Sequence, residues 1–315
     1  MLSDVESVVS ESTFPMNFSV LRNPYLLLTA TALMWGGNAV AGKLAVDHVS
    51  PFLLTFLRWV FACLVILPFA IPHLKKDWPL IRQNLVYLFL LGASGFAIFN
   101  NLMYLALNHT SAINVAIEQA SMPLIVFVLN YILYRTHVTA FQILGFLITL
   151  IGVAITATRG NLFDLAGQSL NFGDITMLFA IMVYGGYSVF LQRKPDIHLW
   201  SFICVLGFSA LCTTVPFMMY EAANNQLLMP DMQGWGVVLY AAIFPSIVSQ
   251  LFWVIGLSII GSNRGGLFIN LVPIFGAILA VIILGEKFQT YHAIGLVLVL
   301  GGITLAQRTA SKKIV

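Results

Sequence analysis

The sequence predicts an all-α membrane protein of ten transmembrane helices, built as two inverted five-helix repeats. Three observations carry that fold class. Hydrophobic residues are 59% of the 315 and charged residues only 9%, with a mean hydropathy of +0.93. A soluble domain is about 45–50% apolar and about 25% charged, so this much apolar surface cannot be hidden in a water-soluble globule. Helix-disturbing residues also recur in one ungapped register: Pro123 and Pro273, Gly145 and Gly295, Gly152 and Gly302 all stand 150 residues apart. Single leucine matches such as Leu107/Leu257 mean little between apolar segments, but prolines and glycines holding register across three helices mark a duplication. The third observation is charge. With the N-terminus inside, 11 of the 15 Lys and Arg residues fall on the cytoplasmic side, while Lys43, Arg159 and Lys287 fall outside and Arg58 lies within a helix. An odd number of spans per repeat inserts the second copy upside down and leaves both termini cytoplasmic.

Residues 1–24 are expected to be an N-terminal cytoplasmic tail. Met1 to Arg22 is polar and acidic, and lacks the basic start and short apolar core of a cleaved signal. About 20 apolar residues cross the hydrocarbon, and ten runs meet that requirement. Span 1 covers 25–45. Span 2 covers 52–71, entered through Ser50-Pro51 and left at Pro72. Spans 3, 4 and 5 cover 84–106, 112–134 and 139–158, joined by links such as His109-Thr110 and Thr136-His137 that are too short for anything but antiparallel hairpins. The first repeat is thus 25–158, and a polar linker, 159–172, follows it. The second repeat, 173–308, holds spans at 173–192, 199–219, 236–257, 265–284 and 291–307, and 309–315 is a second cytoplasmic tail. Trp35-Gly36-Gly37-Asn38 in span 1 answers to Tyr184-Gly185-Gly186-Tyr187 in span 6 at an offset of 149.

Several polar groups stand inside these spans, where an ionised side chain costs about 2.5–3.5 kcal/mol even by insertion scales. Glu118 lies deep in span 4, on one stripe with Asn114 and Met122 and close to Ser121. It is read either as a proton-responsive or cation-binding group of a central cavity, or as a protonated or hydrogen-bonded tie between helices. Gln119 points elsewhere. Arg58 is the natural counter-charge: it pairs with Glu118, binds a substrate carboxylate, or snorkels outward. The glycine pairs allow close packing or local unwinding. Unwinding would let Trp35 and Tyr184, with Asn38 and Tyr187 beside them, flank a substrate. Asn100 and Gln250 match at an offset of 150, with Trp253 on the face of Gln250. They line the cavity from both repeats or glue helices together. Pro123 and Pro273 are hinges or fixed bends, and Arg264 is a topology determinant.

What is missing narrows the class. Cys63, Cys204 and Cys212 lie in apolar runs without metal spacing, and no histidine pair has ligand spacing, so no metal and no cofactor is expected. Gly285-Glu286-Lys287 lacks the frame of a phosphate-binding loop, and no hydrolase cluster or ion-filter repeat is present. The net charge of +3 is spread out and does not suggest nucleic acid. The expected partners are a small-molecule substrate and the lipid bilayer, with a proton as the coupling ion to be considered. The oligomeric state is not written in the sequence.

The chain resembles the drug/metabolite transporter superfamily, in particular proteins built from two EamA domains. The resemblance is carried by Trp35-Gly36-Gly37-Asn38, Ser50-Pro51 leading to Arg58-Trp59, Ala106-Leu107 through Thr110-Ser111-Ala112 to Pro123, and Gly285-Glu286 after span 9. The chain departs from the pattern where Arg135-Thr136 stands in place of the Gly-Glu pair, and where Gly207 lies near the second-half position of the arginine. The resemblance implies secondary active transport by alternating access in a bacterial inner membrane. It implies export of small, amino-acid-like metabolites or drugs. An uncoupled facilitator of the same fold and a non-transporting receptor are the alternatives.

Overall fold

A computed structural model describes residues 23–135, 139–161 and 171–310. The expected tail up to Arg22, most of the linker and the last five residues lie outside them. Among the described residues there are ten helical spans and no strand. They are α1 (Pro24–Leu44), α2 (Pro51–Gln83), α3 (Leu85–Leu107), α4 (Ala112–Tyr134), α5 (Ala140–Ala157), α6 (Phe172–Leu191), α7 (Leu199–Ala223), α8 (Met232–Ile260), α9 (Gly266–Leu284) and α10 (Thr290–Ala310). Eight of these, all but α1 and α10, are long and apolar enough to cross a membrane on length and composition alone. Starts are set by local chemistry. Asn23 accepts the Tyr25 and Leu26 amides ahead of Pro24, Thr139 and Gln142 form a reciprocal capping box, and Asn171 and Asp231 cap α6 and α8.

The repeats are inverted, and two helix pairs show it. α5 and α10 are repeat-related, and they pack Gly145 against Gly302 and Gly152 against Gly295. Residue numbers rise along one helix as they fall along the other, so the two run antiparallel. The offset of 150 converts the first glycine contact into the second. α2 and α7 are likewise antiparallel: Ser50 meets Glu221, Phe52 meets Phe217, Trp59 meets Gly207 and His73 stacks on His198. Helix packing crosses the repeats. α1 lies chiefly against α8 and α9, and α6 against α3 and α4. The two sequence halves are therefore interleaved rather than packed as separate bodies.

Three local features differ from the sequence expectation or go beyond it. α2 does not end at Pro72 but continues through Pro68, Pro72 and Pro79 to Gln83. Its extension is held by Asp77, which accepts the His198 amide, and by the stacked rings of His73 and His198. α3 and α8 each contain a π-helical stretch, Ala93–Ile98 and Phe244–Val248, at the same depth in the two repeats. Such widened turns concentrate at functional sites. α4 breaks at Ala120 and Ser121, and α9 starts as a 3-10 turn over Gly266–Asn270, again at matching positions. Pro123 therefore stands at the start of a restarted helix, where its missing N–H leaves no bond unmade.

The end of the bundle bearing the turns before α2, α4, α6, α8 and α10 is called the linker face. There the His48 ring lies 2.7 Å from Asp231, which also accepts the Gly234 amide. The Gly234 amide and then the His48 ring hold the Asp231 carboxyl below the usual carboxylate range. The unfolded chain takes up that proton more readily, so this tie stabilises the fold above the usual carboxylate range and is lost as pH falls from there through the depressed value of the folded state. Asp231→Asn is expected to lower the melting temperature slightly at neutral pH. The difference should begin to shrink below about pH 4 and close once pH has passed the depressed value, as read by scanning fluorimetry. A constant offset at every pH would refute the electrostatic origin.

Candidate functional site

The broken helices, the π-helical turns and the middles of α1 and α6 enclose a cavity of about 860 Å³, mouth included. Its wall is made of repeat-related pairs. Trp35 and Tyr184 face it from α1 and α6, Asn100 and Gln250 from α3 and α8, and Gly95 and Pro245 from the two π-helical turns. Gln119 and Ile269, Ala120 and Asn270, Met122 and Val272, and Pro123 and Pro273 line it from the interruptions of α4 and α9. Broken helices leave backbone polar groups free where an intact helix would use them, which suits a polar ligand at mid-membrane.

The pairing fails at the charge. Arg58, reaching in from α2, is 4% exposed and lines the cavity, and no second arginine answers it. Its Nε donates to Ser246 Oγ at 2.6 Å, and its Nη1 to Asn100 Oδ1 at 2.7 Å, Tyr104 OH at 2.8 Å and, more weakly, Asn38 Oδ1 at 3.4 Å. The Tyr104 hydroxyl in turn donates to Asn38 Oδ1 at 2.9 Å. Every one of these acceptors is neutral, and among the described residues no carboxylate forms an ion pair with Arg58. Trp59 stacks on Phe96 at 4.6 Å between ring centres and donates its indole N–H to the Phe96 carbonyl. With Phe99 and Tyr184, in contact at 4.6 Å, this gives an aromatic wall around a fixed, uncompensated cation.

The expected pairing of Arg58 with Glu118 is not present, and Arg58 does not snorkel. Its fork is saturated on one side by α1, α3 and α8, while both Glu118 carboxylate oxygens lack a hydrogen-bond partner among the described residues. Glu118 and Asn114, expected in the cavity, do not line it; their shared stripe on α4 turns toward α6 and α10 instead. Tyr187 lies one layer behind the wall, filling the space over Gly95 and touching Tyr184 at 5.2 Å. Trp253 backs Trp35 in the same way, at 5.2 Å. Conversely Gln119, set aside by the spacing argument, does line the cavity, because the chain breaks one residue later. Trp59, Phe96, Phe99, Tyr104, Ser246 and Asn270 were also missed. The constant offset of 150 pairs Asn270 with Ala120 and Ser246 with Phe96, and Trp59 follows Arg58 in the motif that carries the family resemblance; nothing in the sequence marked Phe99 or Tyr104.

A second polar cluster lies on the linker side of the cavity. The Gln289 amide donates to His292 Nδ1 at 2.9 Å, which leaves the ring proton on Nε2 to be donated to Asn114 Oδ1 at 3.1 Å. The Asn114 amide then donates to Thr110 Oγ1 at 3.2 Å and to Asp174 Oδ1 at 3.4 Å, and the Thr110 hydroxyl donates to the same Asp174 oxygen. Above it, Glu286 accepts the Ala112 and Ile113 amides at the start of α4, and Lys43 donates to the carbonyls of Leu107 and Thr110 at the end of α3. The linker face is thus tied shut by hydrogen bonds across both repeats.

A family model for the EamA-like transporter family matches residues 22–158 and again 171–307. Among curated proteins, the chain is 27% identical over 290 residues to the uncharacterized transporter YyaM of Bacillus subtilis, covering 90% of this chain and 93% of the relative. It is 25% identical over 288 residues to the uncharacterized transporter YetK of the same organism, covering 89% and 85%. An uncharacterized transporter of Archaeoglobus fulgidus is 26% identical over 286 residues, covering 89% and 96%. A solved structure described as a crystal structure of protein superposes with a TM-score of 0.62 over 92% of this chain and 98% of its own, at 20% identity, a likeness of fold.

Proposed function

Because the chain belongs to the EamA-like transporter family, we propose that it moves small organic acids with an apolar or aromatic body, amino-acid-like metabolites among them, by alternating access. It carries transmembrane helices and no cofactor enters this reading. The observation behind the substrate class is Arg58: a buried guanidinium in a membrane cavity, held by neutral groups alone and walled by aromatic rings. A buried charge without a counter-ion is expensive, and a substrate carboxylate removes that expense on binding. The guanidinium also offers a planar fork to the carboxylate. The amides of Gln119, Gln250 and Asn270 are placed for the polar end of an amino-acid-like ligand. The resemblance favours export across a bacterial inner membrane, and the charge bias favours both termini in the cytoplasm. On this reading α1, α8 and α9 rock against α3, α4 and α6, opening the cavity to one side at a time.

Thermal-shift measurements on the purified protein test the substrate class. 3-Phenylpropionate and phenylalanine should raise the melting temperature, and phenethylamine, the same body without the carboxylate, should not. At a concentration of 100 Kd the gain in stability is about 2.7 kcal/mol, well within reach of the method. Stabilisation by phenethylamine alone would reverse the assigned charge preference. Efflux of the binding compounds from proteoliposomes then separates a transporter from a receptor. The cavity lining contains no carboxylate, which supports an uncoupled facilitator unless a titrating group acts from outside it.

A further inference from the structure

We infer that Glu118 and Asp174 form a protonation site in the linker-face gate, separate from the substrate cavity. The inference rests on the alternating-access reading given above. Glu118 is fully buried with both carboxylate oxygens unpartnered, and Asp174, also fully buried, keeps Oδ2 unpartnered. Asn114 links the two: it stands one helical turn before Glu118 on α4, and its side chain donates to Asp174 on α6.

Two ionised carboxylates in one buried site repel each other and lose hydration, so the pair retains a proton. The elements packed against α4 and α6 do not supply the missing charge. On α10, His292 is a neutral donor by its bond from Gln289, and Tyr291 is a phenol. On α5, Thr149 and Thr156 spend their hydroxyls on the carbonyls of Gly145 and Gly152. On α9, Gly276, Ala277 and Ala280 are apolar. Lys43 is engaged by the end of α3, and Glu286 by the start of α4. Arg159, at the end of α5, is the cation whose field reaches Asp174, and it lies at the rim. Among the described residues no group of three acidic, histidine or cysteine side chains is placed to hold a metal ion, so the proton is the fitting occupant.

The site couples to the gate by geometry. The Thr110, Asn114 and Asp174 bonds join the α3–α4 turn to α6, and they must part for the linker face to open. Opening admits water to Glu118 and Asp174; the O–H bond of the protonated carboxyl breaks, the proton passes to water on that side, and the carboxylate left behind is hydrated. Closing again requires a proton to return from water to the carboxylate oxygen. The proton leaves to and returns from the same side, so the site makes opening of the linker face depend on the pH there without contact with the substrate, and carries no net proton across.

Infrared spectroscopy of the purified protein provides a readout independent of transport. The parent should show the carbonyl absorption of a buried protonated carboxyl at neutral pH, and Glu118→Gln should lose it. Asp174→Asn removes the neighbouring charge and should move the loss of that absorption to lower pH, and this arm decides alone if Glu118→Gln does not fold. In proteoliposomes, Glu118→Gln should keep phenylalanine counterflow yet lose its dependence on pH at the linker face. Absence of the absorption in the parent, or its survival unchanged in both variants, overturns the inference. So does stabilisation by sodium chloride over choline chloride in a parent without the absorption. Failure of the parent to move phenylalanine counts against the proposed substrate, while the infrared arm still decides the protonation site.

Discussion

Arg58→Ala is expected to weaken binding of 3-phenylpropionate and phenylalanine by about 100-fold or more, and to leave phenethylamine no worse a ligand than before. A hydrogen bond to a charged partner contributes about 1.5–3 kcal/mol, and each 1.4 kcal/mol is tenfold in affinity. A carboxylate that loses both the charge and the free side of the guanidinium fork stands at the upper end of that range. The effect on folding is smaller, because two terms oppose. Removing a buried, uncompensated charge relieves its desolvation, while Ser246 Oγ, Asn100 Oδ1, Tyr104 OH and Asn38 Oδ1 lose a donor. Three of those four atoms retain another bond: Ser246 Oγ donates to the Ala241 carbonyl, and the Tyr104 hydroxyl donates to Asn38 Oδ1, so only Asn100 Oδ1 is left without a partner among the described residues. Arg58→Lys should fold and keep the charge yet bind carboxylates at least tenfold more weakly than the parent, since an ammonium cannot serve α3, α8 and a ligand in one plane. Calorimetry on the three proteins checks this. Equal losses for acid and amine ligands in Arg58→Ala would make the arginine a strut, not an anchor.

What could be read from the sequence, and what could not, follows from the kind of information helices carry. The membrane class and the duplication come from composition and from an ungapped offset, neither of which needs three-dimensional knowledge. Periodicity places Asn114 and Glu118 on one stripe, and that stripe exists. It does not say which neighbour the stripe meets, and the neighbours are α6 and α10, not the cavity. The sequence leaves Arg58 a choice between Glu118, a substrate carboxylate and the membrane surface; in the structure four neutral groups hold the arginine and Glu118 is not among its partners. The interruptions at Ala120 and at Gly266–Asn270 and the π-helical turns have no compositional mark beyond nearby prolines and glycines. They reflect tertiary packing that overrides local preference, so Gln119 and Asn270 could be placed only by the folded chain. Pro72 misled for the converse reason: contacts from Asp77 and His73 to His198 offset the backbone bond it removes.

Gly36 of α1 and Gly186 of α6 both belong to glycine pairs that look alike in the sequence, yet these two are expected to respond in opposite ways. A Cβ on Gly36 would lie 2.7 Å from both the Gly276 nitrogen and the Val272 carbonyl oxygen, and 3.2 Å from Phe275 Cβ. The first two are backbone atoms, which cannot step aside as a side chain can. A Cβ on Gly186 would meet nothing within 4 Å. Gly36→Ala should therefore destabilise the protein by about 1–3 kcal/mol, the usual range for overpacking, whereas Gly186→Ala should be neutral or gain up to about 1 kcal/mol from helix propensity. The damage at Gly36 should extend to binding. Trp35 lies beside it, and Val272 and Pro273 across from it, all in the cavity wall. Pushing α1 off α9 by the width of one methyl group opens the wall that Trp35 closes. Gly36→Ala should lower both the melting temperature and the affinity for phenylalanine, while Gly186→Ala changes neither by more than a small margin. Equal tolerance of both substitutions would mean that α1 and α9 do not pack backbone to backbone, and that the cavity is not built on their contact.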